Sequence, residues 1–231
     1  GLRVDWHSVI GTELVPQGGL SFHPTRNADI KALVSKGFRN PIIREMYMFP
    51  PATTDLKPES MMNYELAYTQ RIGGRAHVGA NIFYIKGKNL INTIRVGGRP
   101  RNVNTGDFEN WGLELSADYT VNRCWSLNGN YSYLRMRTPV EGAPEGKLYL
   151  GATYHEGRWS VAAGLQNISG LYITADRKEN FTLLNATVGY RALPWLTAFD
   201  KGDNLLAEQY QTYDGFPMPK ATFMGGVSLD F

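Results

Sequence analysis

The stretch WGLELSADYTVNRCWSLNGNYSY, residues 111–133, contains two segments of alternating apolar and polar residues separated by a five-residue turn. Alternation with a period of two is the pattern of a β-strand that has one apolar face. The stretch therefore predicts a β-hairpin. Its apolar face consists of Trp111, Leu113, Leu115, Ala117 and Tyr119 in the first strand and of Trp125, Leu127, Gly129, Tyr131 and Tyr133 in the second.

The arrangement of a Tyr, a short polar turn and a Trp occurs twice more, as Tyr154-HEGR-Trp159 and Tyr190-RALP-Trp195. Trp and Tyr concentrate at membrane–water interfaces, where the ring is apolar and its N–H or O–H group stays hydrated. A ring of such residues beside short turns is typical of a transmembrane β-barrel. We therefore predict a membrane girdle formed by Tyr119, Trp125, Tyr154, Trp159, Tyr190 and Trp195.

Weaker alternation elsewhere brings the total to about twelve strands, joined by alternating short and long connections. Outer-membrane barrels have short periplasmic turns and longer outer loops. The chain is accordingly predicted to be all-β, an antiparallel up-and-down transmembrane β-barrel in the bacterial outer membrane. The predicted long loops lie near residues 39–60, 93–107, 136–146, 169–180 and 205–219.

Composition excludes several classes of protein. With 231 residues and a net charge of +3, the chain is neither disordered nor a nucleic-acid binder. One cysteine, Cys124, excludes an internal disulfide. The scattered histidines lack metal-ligand spacing and no nucleophile or phosphate-binding motif is present, so we expect no enzyme, no cofactor and no metal site.

One predicted strand fits the pattern poorly. The segment LTAFDKGDNL, residues 196–205, places Asp200, Lys201 and Asp203 close together. A charge on the lipid face is costly at the middle of the bilayer and tolerated near its surface. We therefore expect these charges to lie high in the strand, or the strand to be bulged.

Several motifs, in order, resemble the C-terminal half of a TonB-dependent outer-membrane receptor. GFRNPIIREMYMFPPATTDLKPE (37–59) is similar to the family's FRAP-like and NPxLKPE-like motifs, although Asn40 replaces the usual Ala. NYELAY (63–68), GLELSADY (112–119) and DNLLAEQY (203–210) resemble further strands of the family. GFPMPKATFMGGVSLDF (215–231) resembles its closing strand, with Lys220 and Ala221 in place of Gly-Arg.

This resemblance implies that residues 1–231 form a single domain, about twelve strands of a 22-stranded barrel without its N-terminal plug. It implies a parent receptor that imports a scarce nutrient, such as a ferric siderophore, a similar iron chelate or a corrinoid. Energy would come from the TonB complex through the missing plug. The terminal Phe231 is implied to be part of the signal for the barrel-insertion machinery.

The outer loops contain the residues that we expect to bind a ligand. The Pro-rich loop 38–59 offers Arg44, Tyr47, Met48 and Phe49, but no histidine between Pro41 and Thr54, which disfavours haem. Its methionines also suit soft metals such as copper. Exposed arginines suit an anionic chelate or the phosphates of outer-membrane lipopolysaccharide. The remaining candidates are Arg99, Arg101, Tyr172, Tyr210 and Tyr213.

Two other classes of function are compatible with the sequence. One is a self-contained small barrel that acts as a pore or adhesin, and the other is a soluble β-domain that binds glycans on its aromatic side chains. In the fragment interpretation, the strands near 2–9 and 223–231 leave two unpaired edges. We expect these edges to pair with each other or with another chain.

Overall fold

A computed structural model of the chain describes residues 1–8, 11–174 and 176–230. It contains one short helix, α1 (Ile43–Tyr47), and sixteen strands. The strands are β1 (Leu2–His7), β2 (Gly11–Thr25), β3 (Ala28–Arg39), β4 (Glu59–Ile72), β5 (Ala76–Lys88), β6 (Ile91–Val96), β7 (Arg99–Asn104), β8 (Phe108–Thr120), β9 (Trp125–Met136), β10 (Gly146–Glu156), β11 (Trp159–Tyr172), β12 (Lys178–Leu193), β13 (Leu196–Asp203), β14 (Gln211–Tyr213), β15 (Phe216–Pro217) and β16 (Thr222–Leu229).

Twelve strands form one antiparallel sheet in the order β1-β2-β3-β4-β5-β8-β9-β10-β11-β12-β13-β16. Each strand therefore pairs with the preceding and following strand of the sheet, which confirms the predicted all-β, up-and-down arrangement and the number of strands. Among the described residues, no helix is long and apolar enough to cross a membrane.

The two edges of the sheet do not pair with each other within the described chain, so the predicted closure into a smaller barrel is wrong. Closing a barrel requires a strand tilt and stagger suited to the number of strands. Here β1 has six residues and pairs only with the Gly11–Pro16 end of β2. Pairing of the edges with another chain stays a prediction.

The cross-strand register gives the sheet an apolar face and a polar face. In the hairpin quoted first, Leu113 lies opposite Tyr133, Leu115 opposite Tyr131 and Tyr119 opposite Leu127. Glu114 and Ser132 lie opposite each other on the polar face. This division continues across the sheet, as the sequence pattern predicts.

The polar face contains three cross-strand pairs of glycine and phenylalanine. These pairs are Gly87–Phe108, Gly112–Phe83 and Gly226–Phe199. In each pair the ring occupies the space above the glycine, because a Cβ atom built on the glycine would lie 2.6 Å or less from a ring atom. These positions accept no larger side chain without moving the ring.

The charges near residue 200 lie in the outer half of β13, as one of the two predicted arrangements requires. β13 pairs with β16 throughout and with β12 from Thr197 to Gly202 without a register shift, and Asp200 lies opposite Val188 and Gly225 on the apolar face. The alternative prediction, a bulge in this strand, is wrong; the register shift lies in β12, between Arg191 and Leu193. Alternation places Lys201 and Asp203 on the other face of the strand from Asp200, which is the polar face. There they form an ion pair of 2.9 Å.

One predicted long loop is also shorter than expected. The connection is shorter than the loop predicted over 169–180, because β11 extends to Tyr172 and β12 begins at Lys178. A register shift between Ile168 and Leu171 interrupts the alternation without ending the pairing. The regular alternation of apolar and polar residues therefore ends at Ile168, although β11 continues to Tyr172.

Candidate functional site

Five of the six predicted girdle residues, all but Trp195, form a row on the apolar face at the short-turn end of the sheet. Trp125 lies opposite Tyr154, with ring centroids 4.8 Å apart, and Trp159 lies opposite Tyr190, with ring centroids 4.7 Å apart. Each contact joins neighbouring hairpins, whereas each sequence motif lies within one turn. Tyr119 lies opposite Leu127 on the same face and is about half exposed. Trp195 is also about half exposed but lies in the turn before β13, next to Leu196, and alternation gives it the parity of the other face. Phe231, the predicted insertion signal, lies outside the described residues.

At the opposite end of the sheet, the loop 40–58 and the β6–β7 hairpin are docked against each other. We call this arrangement the first loop cluster. Asn102, which is buried, donates a hydrogen bond from Nδ2 to the Glu45 carbonyl (2.7 Å) and accepts one at Oδ1 from the Thr93 hydroxyl (2.6 Å). Arg101 Nε donates to the buried Thr53 hydroxyl at 3.2 Å. Side chains of one loop thus satisfy polar groups of the other.

A second set of hydrogen bonds joins the base of the two loops. Asn104 accepts from the Lys57 backbone N–H at 2.9 Å and donates to the carbonyls of Lys57 (3.0 Å) and Asn89 (2.7 Å). Asn89 donates to the Pro58 carbonyl at 3.2 Å, from a backbone φ of 60° that asparagine tolerates better than most residues. Hydrogen bonds therefore join the Pro-rich loop to the hairpin at two places, one near Glu45 and Thr53 and the other near Lys57 and Pro58.

Arg39 connects α1 to the sheet. Its guanidinium donates to Glu45 through Nη1 at 2.9 Å and to Glu59 through Nε at 2.7 Å. The same Glu45 carboxylate accepts from the Ile42 backbone N–H at 2.9 Å. The hydrogen bond from Arg39 is the largest cause that lowers the pKa of Glu45 below its ordinary value, and burial opposes it.

We predict that this arrangement fails at low pH. The pKa of Glu45 is lower in the folded protein, so its contribution to stability is complete above the ordinary value of 4.5 and is lost as the pH falls through the lowered value. The ¹³C-methyl resonances of Met46 and Met48, recorded from pH 7 to 3, report this transition. They should remain constant above that ordinary value and shift below it.

The matched control for this prediction is Arg39→Gln. The variant removes the cation that lowers the pKa of Glu45, so the transition should move to higher pH. An identical transition in both proteins would contradict the role given to Arg39.

A second loop cluster lies around the outer ends of β10 to β13. Its apolar core consists of the buried side chains Ile168, Leu171, Ile173 and Phe181, with Leu183 and Tyr210 packed against it. The Tyr210 ring lies 4.3 Å from that of Phe181, centroid to centroid. Asn204, which is buried, holds the following loop through hydrogen bonds from Nδ2 to the carbonyls of Glu208 (2.9 Å) and Pro219 (3.1 Å).

Polar contacts connect the loops of this second cluster. Glu145 accepts from the Tyr172 hydroxyl at 3.1 Å and from Lys178 Nζ at 2.9 Å, and the ammonium lies 4.5 Å from the Tyr172 ring centroid. The ammonium is the largest cause of the lowered pKa of Glu145. Arg177 pairs with Asp214 at 2.8 Å. Tyr213 lines a cavity of about 380 Å³ together with Glu141, Ile173, Thr174, Asp214 and Phe216.

The structure thus divides the predicted ligand-binding residues between two places. The first cluster contains Arg44, Tyr47, Met48, Phe49, Arg99 and Arg101, and the second contains Tyr172, Tyr210 and Tyr213. Three of them make scaffold contacts, since Arg101 binds Thr53, Tyr210 packs on Phe181 and Tyr172 donates to Glu145. Tyr47 and Met48 are about half exposed, and Arg44 Nε lies 3.3 Å from the Met48 sulfur. Among the described residues, no group of three His, Cys, Asp or Glu side chains suits a metal ion.

The family model described as TonB dependent receptor-like, beta-barrel, matches residues 1–205 of the chain. The chain belongs to the TonB-dependent receptor family. This family consists of outer-membrane transporters, not enzymes. No curated protein sequence matches the chain.

Solved structures of similar fold include three receptors. A mutant of the ferric enterobactin receptor PfeA from Pseudomonas aeruginosa, in complex with enterobactin, has a TM-score of 0.81 and 17% identity, covering 100% of this chain and 42% of the other. The copper transporter OprC has a TM-score of 0.79 and 17% identity, with coverage of 95% and 40%. The ferric-catecholate import receptor Fiu from K12 E. coli has a TM-score of 0.75 and 20% identity, with coverage of 96% and 35%.

The TonB-dependent receptor chain described here thus spans about two fifths of the length of the solved receptors that it matches. At these identities the likeness supports the fold alone.

Proposed function

We propose that the chain is a single domain, the C-terminal part of a 22-stranded receptor barrel in the bacterial outer membrane. The parent protein would bind an anionic iron chelate of the ferric siderophore type and import it. Energy from the TonB complex would act through an N-terminal plug, and the barrel-insertion machinery would place the barrel in the membrane. The family assignment and the open twelve-stranded sheet support this proposal.

The observation that carries the ligand assignment is the first loop cluster. It fixes a short helix and a hairpin in a defined arrangement, so little conformational freedom is lost when a ligand binds. Arg44, Arg95 and Arg99 lie in this cluster with exposed side chains, and none of them forms an ion pair within the described part of the chain. Unpaired guanidinium groups attract and hydrogen-bond anionic oxygens. Tyr47 and Met48 add exposed apolar surface beside them.

The test is a binding titration of the complete receptor that contains this chain. Ferric catecholate, cobalamin and copper ions are added separately, and intrinsic tryptophan fluorescence is followed. We expect saturable binding of the ferric chelate, weakened about tenfold in Arg44→Gln/Arg99→Gln because charge-assisted hydrogen bonds to charged groups are worth about 1.5–3 kcal/mol when buried and less when exposed.

The matched control is Arg123→Gln/Arg158→Gln, which removes two arginines from the short-turn end of the sheet. It should bind the chelate as the unmodified receptor does. Binding of cobalamin or copper in place of the ferric chelate would reject the assignment of the ligand while leaving the barrel assignment intact.

A further inference from the structure

One carboxylate near the last strand of the sheet lies on the apolar face. The exposed side chain of Asp200 is opposite Val188 of β12 and Gly225 of β16. Asp200 is two positions along β13 from Ala198, which pairs with Tyr190 of the girdle. Two residues of a strand span about 7 Å, so Asp200 lies inside the apolar band that begins at the girdle. A charge on the lipid face costs free energy that grows toward the middle of the bilayer, which calls for a compensating group.

The known neighbours of Asp200 do not supply this group. Within the described part of the chain, the Asp200 side chain forms no ion pair or hydrogen bond. Lys201, the next residue, lies on the polar face and pairs with Asp203. The register surrounds Asp200 on the apolar face with uncharged residues, namely Ala186, Val188, Tyr190, Ala198, Gly202, Phe223, Gly225 and Val227. A compensating cation therefore has to come from another segment.

The carboxylate of Asp200 is directed toward the free edge of β16. A Cβ atom built on Gly225 would lie 2.8 Å from Asp200 Oδ1, so the carboxylate occupies the space above the glycine. β16 is the last strand of the sheet and, among the described residues, pairs only with β13. The glycine thus leaves an open path on the apolar face from the carboxylate to whichever strand pairs with this edge.

We propose that the free edge of β16 pairs with an antiparallel strand that carries a lysine or an arginine beside Gly225, and that this cation pairs with Asp200 above the glycine. The strand is the first strand of the same barrel, so the inference rests on the proposed place of the chain at the C-terminal end of a closed barrel. Neighbouring strands are about 4.8 Å apart, so the residue opposite Gly225 is about 10 Å from Asp200 between Cα atoms. The long side chains of lysine and arginine bridge this gap, whereas a short polar side chain does not.

This ion pair would fix the register in which the barrel closes. A shift of the first strand by one residue turns its cation to the other face and leaves Asp200 unpaired in the apolar band. A shift by two residues moves the cation about 7 Å along the seam, out of contact with the carboxylate. One charge pair thus penalises the wrong registers more than it stabilises the correct one, as is typical of ion pairs in apolar surroundings.

The first test is Asp200→Asn in the complete receptor, folded in detergent micelles, with the rate of urea unfolding followed by tryptophan fluorescence. The variant leaves the cation unpaired in the apolar band, so unfolding should become at least about tenfold faster. The matched control is Asp203→Asn, the same change three residues along β13, where the carboxylate forms an exposed ion pair on the polar face. It should change the rate less than about fivefold, because exposed ion pairs contribute little.

The direction of the effect decides the result. If Asp200 has no cationic partner, its carboxylate destabilises the barrel and Asp200→Asn unfolds more slowly than the unmodified receptor. Slower or equal unfolding of Asp200→Asn therefore rejects the proposal.

The second test identifies the cation by disulfide formation. In a Cys124→Ser background, Val227→Cys is combined in turn with single cysteines along the first barrel strand. Val227 is exposed on the apolar face, two positions from Gly225. The position that forms the disulfide gives the register and hence the residue opposite Gly225, which should be lysine or arginine. Its replacement with glutamine should also speed unfolding, and the combination with Asp200→Asn should recover most of the loss, because neither charge then remains unpaired.

The disulfide result separates this inference from the proposed function. A disulfide with the first strand but a neutral residue beside Gly225 rejects the inference and leaves the barrel assignment intact. No disulfide with any position of that strand, or a disulfide between two molecules, contradicts closure of the barrel at β16 and rejects both. The nutrient is tested independently, since a receptor that binds no ferric chelate can still show the ion pair.

Discussion

Replacing Gly112 with valine is expected to lower the free energy of unfolding by about 3 kcal/mol, the upper part of the range for overpacking a filled site. Gly112 is buried in β8 opposite Phe83. A Cβ atom at this position would lie 2.4 Å from Phe83 Cζ and 2.5 Å from the Tyr133 carbonyl oxygen. The ring can move, but that oxygen belongs to the backbone of the neighbouring strand.

The expected effect of Gly112→Val is measured by urea unfolding of the complete receptor in detergent micelles, followed by tryptophan fluorescence. The control is Gly18→Val in β2, where a Cβ atom would have no heavy atom within 4 Å. Both variants add the same three carbon atoms to a strand, so the difference between them isolates the collision. Equal unfolding midpoints would mean that the sheet relaxes around residue 112.

Replacing Asn102 with alanine is the second change for which we expect a large effect. The side chain is buried and bonds Glu45 and Thr93, so its removal leaves the Glu45 carbonyl without this donor and opens a cavity between the loops. An unsatisfied buried polar group costs about 1–3 kcal/mol. We expect the loop 40–58 to dock less firmly and the affinity for a ligand of the first loop cluster to fall about tenfold, since the same free energy then has to be supplied on binding.

Hydrogen exchange of the Thr53 amide measures this docking, because its N–H donates to the Met46 carbonyl within the loop. Exchange should become faster in Asn102→Ala. The control is Asn92→Ala in β6, whose amide donates to the Thr105 hydroxyl, away from the loop. Unchanged protection of Thr53 in Asn102→Ala would show that the loop is held without this contact.

The large sheet could be predicted from the sequence because each of its strands has one apolar face. Alternation identifies such strands locally, without knowledge of their neighbours. The strand boundaries were less accurate where the register changes, as at Ile168 and Leu171, since a bulge reverses the alternation but preserves pairing. The position of Asp200 could not be resolved either, because one charge on an apolar face contradicts the pattern from which the face is inferred.

Two small hairpins, β6–β7 and β14–β15, overlap segments that the spacing of short and long connections predicts to be loops, although the sequence contains a signal for each. Gly97 and Gly98 connect β6 and β7 with positive φ values of 58° and 81°, and an adjacent glycine pair between alternating segments is typical of a tight hairpin turn. The pair Asp214-Gly215, between β14 and β15, is also typical of a tight hairpin turn.

The docking of the outer loops could not be predicted from sequence. Asn102 and Glu45 are 57 positions apart, and Asn104 and Lys57 are 47 apart. Nothing local distinguishes these asparagines from others in turns, because an amide side chain in a loop is usually solvated. Such pairs become visible only when the sheet has brought the two loops to the same rim.

The length of the apolar band is set by two groups of aromatic residues, the girdle and a second row of Tyr64, Tyr84 and Trp111 nearer the long loops. Trp111 of this second row and Tyr119 of the girdle are eight residues apart in β8. This separation corresponds to about 27 Å along a strand and to about 20 Å across a membrane when strands tilt by about 40°. A hydrocarbon layer of that thickness matches the apolar band without strain, whereas a thicker layer has to thin around the barrel at a cost for each ångström. The spacing of two rings in one strand thus predicts that the barrel fits a thin bilayer.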